Sequence, residues 1–372
     1  MSEALCNRIV NRIETNGPMR FGDYMAMALY EPGLGYYVNG LHKFGQTGDF
    51  VTAPEQGQLF ARALARQFDA LAAQIGPDWT LLELGAGSGA LTRDLLSNLD
   101  QPPARYLILD TSAALREIQA ETLSVLPDEL RSRVQWIATP PTEAFEGVTL
   151  ANEVIDALPV SVFERADGTL FERAVTVREN RLAWARIEPA TRLVEAVAAL
   201  QSRLPETLRE PYVSETCLEL GGWIKTVTEP LSRGLALFID YGYPRAEYYH
   251  RQRSGGTLVC HYRHRAHFDP FVWPGLTDIS AFVDFSLAAE AGAEAGLELA
   301  GFTSQAGFLL ALGAHEFVDQ ADDERERIRL AAELKRLILP AEMGEKFKVL
   351  GLARGLNGNI PGFDLASQHH RL

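Results

Sequence analysis

The sequence predicts an α/β fold: a Rossmann-like sheet of seven strands behind an N-terminal helical cap, with a β-rich segment inserted between the fourth and fifth strands. Three observations carry this. From Trp79 onward, short apolar runs alternate with stretches of helical periodicity, the pattern of a parallel sheet with helices on both faces. The first run leads into a turn with glycine at 85, 87 and 89 that opens a helix. Between about 159 and 233 the alternation gives way to period-two runs separated by turn residues.

In chain order, residues 1–78 form the expected cap and residues 79–372 the core, interrupted by the 159–233 insertion. Leu5, Ile9, Val10 and Ile13 mark one face of a first short helix. Tyr30–Tyr37 is a turn-rich aromatic segment. Thr52 and Glu55 stand at the spacing of a capping box, ahead of a helix with Leu59, Phe60, Ala63, Leu64, Phe68 and Leu71 on its apolar side. Strands are expected at 79–84, 105–109, 134–137, 148–152, 235–239, 297–302 and 346–353, and helices at 91–99, 113–123 and 280–295. The insertion reads as antiparallel strands at 160–163, 171–177 and 182–187, turning at Asp167-Gly168 and at Asn180.

Composition removes several function classes. Lys plus Arg number 35 and Asp plus Glu 49, so the net charge is −14, and nucleic acid and anionic membrane surfaces are disfavoured partners. No run of about 18 apolar residues spans a membrane. Cys6, Cys217 and Cys260 are too few and too scattered for a disulfide framework, which favours a reducing compartment. The N-terminus lacks a signal-like apolar run, and Glu3 and Glu14 fit poorly with a transit peptide, so a cytoplasmic location is expected. Cys260, His264 and His267 have ligand-like spacing, but Arg263 and Arg265 between them would repel a cation, and no metal is expected.

The chemistry concentrates at the strand ends. Leu82-Glu-Leu-Gly-Ala-Gly-Ser-Gly-Ala90 leaves the first strand and enters a helix, whose N-terminus presents free N–H groups. Gly85-x-Gly87-x-x-Ala90 also fits a dinucleotide fingerprint. Glu83 argues otherwise. A carboxylate gains nothing beside a pyrophosphate, but it offers a counter-charge to a cofactor carrying an ammonium and a sulfonium. Glu83, Gly85, Ala86, Gly87 and Gly89 are therefore read as a site for S-adenosyl-L-methionine, in a class I methyltransferase fold. Asp110 ends the second strand where such sheets place an acid on ribose hydroxyls, and it could equally cap the helix that follows. Asn152, Glu153 and Asp156 end the fourth strand, again at the ligand edge.

These residues resemble the MidA family, which contains mitochondrial complex I assembly-factor methyltransferases and their bacterial relatives. The matching segments include Arg20–Met25, Tyr30–Tyr37, Gly48–Glu55, Glu83–Gly89, Asn152–Pro159, Phe238–Gly242, Asp278–Phe285 and Gln305–Leu309, so the likeness spans nearly the whole chain. The resemblance implies S-adenosylmethionine held by the Glu83–Gly89 loop and Asp110, with Asn152, Thr52 and Glu55 as further contacts. It also implies a protein arginine as substrate, with complex I assembly as the setting and the mitochondrial matrix as the location of eukaryotic members. Asp110 is one methylene shorter than the glutamate expected there, and Ser280 stands where threonine is expected. Glu153 and Asp156 are expected to clamp the guanidinium, which must approach a second cation. Asp240 and Glu55 are the next candidates. A small-molecule or RNA methyltransferase, or an assembly module that binds the cofactor without turnover, remains the alternative.

Overall fold

The computed structural model describes residues 2–40, 53–263 and 265–372. Seven strands make the main sheet: β1 (Thr80–Leu84), β2 (Arg105–Leu109), β3 (Val134–Ile137), β4 (Phe145–Asn152), β5 (Leu231–Tyr243), β6 (Glu298–Ser304) and β7 (Phe347–Arg354). Their spatial order is β3-β2-β1-β4-β5-β7-β6. Strands β1 to β5 pair in parallel, while β7 lies antiparallel to both β5 and β6. The sheet is thus mixed, not parallel throughout. The two residues Val283–Asp284 pair with the end of β5 and bring the sheet to eight strands.

Strand residues alternate between the faces because side chains have a period of two. Leu81, Ile108, Leu150 and Leu237 pack on one side against α3 (Leu59–Ile75) and α4 (Ala90–Asn98). Leu82, Leu107, Ala151 and Phe238 pack on the other against α7 (Leu220–Thr228) and α8 (Phe285–Glu294). The remaining helices of eight or more residues that matter here are α1 (Ser2–Asn16), α2 (Phe21–Tyr30), α5 (Ala113–Leu123), α6 (Thr191–Arg203) and, after the short helix α9 (Gln305–Ala311), α10 (Glu324–Ile338).

The N-terminal cap and the insertion form one unit. Met19 and Arg20 pair with Val175 and Ala174, adding a strand to the antiparallel sheet of Ser161–Ala166, Thr169–Arg178, Arg181–Ile187 and Tyr212–Thr216. Leu5, Ile9 and Ile13 of α1 share a core with Val160, Val162 and Val175. The hairpin turns fall where expected, with positive φ at Asp167 and Gly168 and at Glu179 and Asn180. Helix α3, by contrast, packs in the main core, so the stretch before Trp79 is divided between two cores.

Two helix starts differ from expectation. Thr52 lies outside the described residues, and Glu55 sits in a separate 3-10 turn (Ala53–Gln56). Helix α3 begins later, at Leu59, whose N–H is accepted by the buried Glu333 of α10. A long-range carboxylate therefore does the work a local capping box would do. Helix α8 begins at Phe285, with Asp284 accepting from the N–H of Leu287. The preceding Asp278–Ser280 is a strand, not helix.

Gly147 and Gly234 face each other across β4 and β5. Their φ values are 154° and 143°, and a Cβ on Gly234 would lie 1.8 Å from the carbonyl oxygen of Gly147. We predict that Gly234→Ala destabilises the fold by about 2–4 kcal/mol, from backbone strain plus overpacking. Denaturant melts would measure this, and a change within 0.5 kcal/mol, about the size of an ordinary surface substitution, would contradict it.

Candidate active site

The site lies at the carboxyl ends of β1, β2 and β4, where an open α/β sheet leaves a crevice. A cavity there encloses about 1240 Å³ including its open mouth. Its walls bring together Tyr30, Tyr37, Glu55, Glu83 to Ser88, Asp110, Asn152 and Glu153. Of the residues singled out from the sequence, Gly89 does not line it. Gly89 starts α4, and a Cβ there would meet Gln119 Cα at 3.2 Å.

The loop after β1 needs glycine for its backbone. Gly85, Gly87 and Gly89 have φ of 63°, 55° and 83°. Glu83 is buried beside it, accepting from Thr92 Oγ1 at 2.6 Å and Tyr106 Oη at 2.7 Å, both on Oε2. Oε1 receives no hydrogen bond from the described residues. Burial pushes the Glu83 carboxyl up, and these two donors pull it back. Ser88 Oγ donates to Glu55, which ties the 3-10 turn to the glycine loop. Gln56 is held in turn by Arg336 of α10 at 3.0 Å.

Asp110 faces the cavity from the end of β2. Its Oδ1 accepts from the N–H of Ser112 at 2.9 Å and its Oδ2 from Gln119 Nε2 at 2.9 Å. The helix cap is Ser112, which accepts from Leu115. Asp110 is therefore not the N-cap. Gln119 also donates to the carbonyl of Gly87 and accepts from Trp136 Nε1. This buried glutamine joins the ends of β1, β2 and β3, and nothing local in the sequence marks it.

After β4 the chain turns sharply. Glu153 has φ 56°, and Ile155–Ala157 forms a 3-10 turn. Asp240 at the end of β5 holds this turn. Its Oδ2 accepts from the N–H groups of Val154 at 3.1 Å, Ile155 at 2.9 Å and Asp156 at 3.2 Å. The turn presents Glu153 to the cavity, where Oε1 is 3.3 Å from Asn152 Nδ2. Asp156 is buried and does not line the cavity, so the two acids expected as a clamp do not face the same space. Burial, and then Asp240 and Asp278, push the Asp156 carboxyl well above the usual range. Burial and Asp156 raise Glu153 to about 8, and burial and Glu153 raise Asp240 to about 7.

Two features match an S-adenosylmethionine-like cofactor. Asn152 Oδ1 is a buried acceptor with no hydrogen-bond partner among the described residues, and the positive-φ glycines leave the loop backbone bare beside the cavity. Elsewhere, Cys260 is buried and pairs across a hairpin with His267. Among the described residues no group of three or more His, Cys, Asp or Glu side chains is placed to hold a metal ion. Nor is any described helix long and apolar enough to cross a membrane.

A sheet in the order 3-2-1-4-5-7-6 with its last strand reversed, and a glycine turn and acids at its carboxyl edge, defines the class I methyltransferase fold. A family described as putative S-adenosyl-L-methionine-dependent methyltransferase matches residues 59–303. The chain belongs to that family and is an S-adenosylmethionine-dependent methyltransferase. It is similar to a Burkholderia thailandensis protein crystallised with S-adenosyl-homocysteine. The TM-score is 0.93 and the identity 42%, covering 100% of this chain and 97% of that one. It also resembles mouse "Protein arginine methyltransferase NDUFAF7, mitochondrial" (28% identical over 94% of this chain and 84% of the relative). The Drosophila melanogaster homolog is 29% identical over 95% of this chain and 85% of its own length.

The raised Glu153 carboxyl gives a pH prediction. The unfolded chain releases this proton near 4.5 and the folded chain near 8. The stability it contributes is full below about 4.5 and is lost as pH rises through about 8. Glu153→Gln cannot ionise, so its Tm should gain on the parent between pH 6 and pH 9. A difference that stays constant over that range would show that Glu153 is well solvated.

Proposed function

We propose that the enzyme methylates an arginine side chain of a protein partner. The observation that carries this is the acid cluster at one end of the cavity: Glu153 in the wall, with Asp156, Asp240 and Asp278 buried behind it. A guanidinium is charged at any physiological pH, with a pKa above about 12. Bound S-adenosylmethionine supplies an electrophilic methyl group on a positively charged sulfur. Two cations meeting in a site that excludes water repel strongly unless carboxylates stand beside them.

Placement around the cavity supports the assignment of the cofactor residues. Backbone at Gly85, Ala86 and Gly87 offers close approach, with Gly89 setting the start of α4. Glu83 Oε1 and Asn152 Oδ1 are acceptors suited to an ammonium, and Asp110 to ribose hydroxyls. Glu55 closes the loop from above, and Thr52 keeps only its sequence-based assignment. Glu153 is the catalytic carboxylate: it accepts guanidinium N–H bonds and takes the proton that the substituted nitrogen releases. Asp156 acts from behind by raising the proton affinity of Glu153, and Asp240 positions the turn. By family resemblance the target is a subunit of a respiratory complex I-type assembly; the few, scattered cysteines support a reducing, cytoplasmic location. The net charge of −14 disfavours RNA as the acceptor.

Incubation of the enzyme with labelled S-adenosylmethionine and a cell lysate tests this reading. The expected result is a labelled protein whose acid hydrolysate contains methylarginine. Label in RNA or small molecules, or cofactor binding with no labelled product, would overturn it. Glu153→Gln is expected to lower turnover about 100-fold, as for a lost general base, with S-adenosyl-homocysteine affinity changed less than about threefold. Normal turnover in that variant would remove Glu153 from catalysis.

A further inference from the structure

The three tyrosines of the Tyr30–Tyr37 segment behave differently. Tyr36 is a core residue, 1% exposed, and does not line the cavity. Tyr30 and Tyr37 do line it, and their rings stack on each other with centroids 5.6 Å apart and planes 22° apart. Each has its hydroxyl turned into the protein. Tyr30 Oη donates to the carbonyl of Ala157 at 2.9 Å, and Tyr37 Oη donates to Asp278 Oδ1 at 3.0 Å. Tyr30 nevertheless keeps 39% of its surface accessible. A tyrosine that exists only to be buried would not stay this accessible in a cavity wall, and one that serves through its hydroxyl would not commit it to a backbone carbonyl. What the pair offers the cavity is aromatic surface.

The charges behind the rings have one sign. Ala157 belongs to the same turn as Glu153 and Asp156, so the Tyr30 hydroxyl is anchored on the acidic turn itself. Asp278, which receives the Tyr37 hydroxyl, also accepts from Ser280 at 2.9 Å. Burial, with the charges of Asp156 and Asp278, holds both phenols neutral by keeping them well above their usual range. Neutral rings with negative faces, backed by carboxylates, attract a cation. The planar, weakly hydrated guanidinium can stack on them, whereas a compact ammonium prefers to keep its water.

We propose that Tyr30 and Tyr37 form an aromatic subsite that receives the guanidinium plane of the substrate and so selects arginine over lysine. This rests on the arginine reading above for its ligand class. The pair is specificity-determining and takes no part in the transfer itself: Glu153 faces the reacting nitrogen, and the rings fix the plane.

The subsite can be tested without any methylated product. The probe is ethylguanidinium, added to the enzyme saturated with S-adenosyl-homocysteine and followed by saturation-transfer NMR, with N-ethylurea as a neutral isostere and propylammonium as the lysine-like cation. The expected order is ethylguanidinium tightest, by about fivefold or more over either control. Tyr30→Leu and Tyr37→Leu should each weaken ethylguanidinium about 3–30-fold, while Tyr30→Phe, which keeps the ring, stays within about twofold of the parent. S-adenosyl-homocysteine affinity reports on folding in every variant, and the three-probe comparison on the parent needs no variant at all. Ethylguanidinium binding no tighter than N-ethylurea, or unweakened in both leucine variants, overturns the subsite. If the subsite binds as expected but the lysate yields no methylarginine, the protein-arginine reading fails and the subsite stands. If methylarginine forms and the leucine variants show unchanged KM for that protein, the subsite fails and the arginine reading stands.

Discussion

Three consecutive N–H groups, those of Val154, Ile155 and Asp156, converge on one oxygen of Asp240, and the shape of the site depends on that convergence. A chain leaving β4 with φ 56° at Glu153 is in a region that a side-chain-bearing residue enters at a cost. The three hydrogen bonds to a carboxylate offset that cost and leave the turn one conformation. Asp240 is itself placed by β5, whose neighbours β4 and β7 hold it on both sides. The central sheet thus sets the position of Glu153 through the Asp240 carboxylate and through the carbonyl of Ile239 on β5, which accepts from the Glu153 N–H at 2.8 Å.

The same arrangement is electrostatically expensive. Glu153, Asp156, Asp240 and Asp278 crowd one end of the cavity, and each raises the proton affinity of at least one other. Buried like charges of this kind are tolerated when they are neutralised by protons or by a cation. In the free enzyme, burial and the neighbouring acids push Glu153, Asp156 and Asp240 toward the protonated form. A site that is to receive two cations together, a sulfonium and a guanidinium, has a use for carboxylates whose raised proton affinity falls when positive charge arrives. The strap on the other side of the cavity, from Glu55 and Ser88 back to Gln56 and Arg336, keeps the glycine loop and the segment before α3 together around the cofactor space.

Local patterning made much of this readable from the amino acids. The strands β1 to β3 and helix α5 fall at or within a residue of where periodicity places them, because each is a short element with a clean apolar pattern. Glu83 and the glycines at 85, 87 and 89 were readable because a tight turn demands glycine locally. What escaped were contacts made by residues far apart in the chain. Glu333 caps a helix 274 positions away, Asp240 reaches back 84 to 86 positions, and Gln119 joins three strand ends. No window of sequence contains both partners. The separation of Glu153 from Asp156 escaped for a different reason. Three residues apart on a helix they would share a face, but with a left-handed residue and a 3-10 turn between them only Glu153 lines the cavity.

Burial and the neighbouring acids push the Glu153 and Asp240 carboxyls toward the protonated form, and positive charge placed beside them favours ionisation. Proton release on binding measures that coupling. Calorimetry of S-adenosylmethionine and S-adenosyl-homocysteine binding at pH 7.5, in two buffers of different ionisation enthalpy, measures the protons exchanged by each. The sulfonium ligand should release more protons than the neutral thioether, and the excess should vanish in Glu153→Gln. Equal proton release for the two ligands, or an excess that survives in Glu153→Gln, would contradict the account.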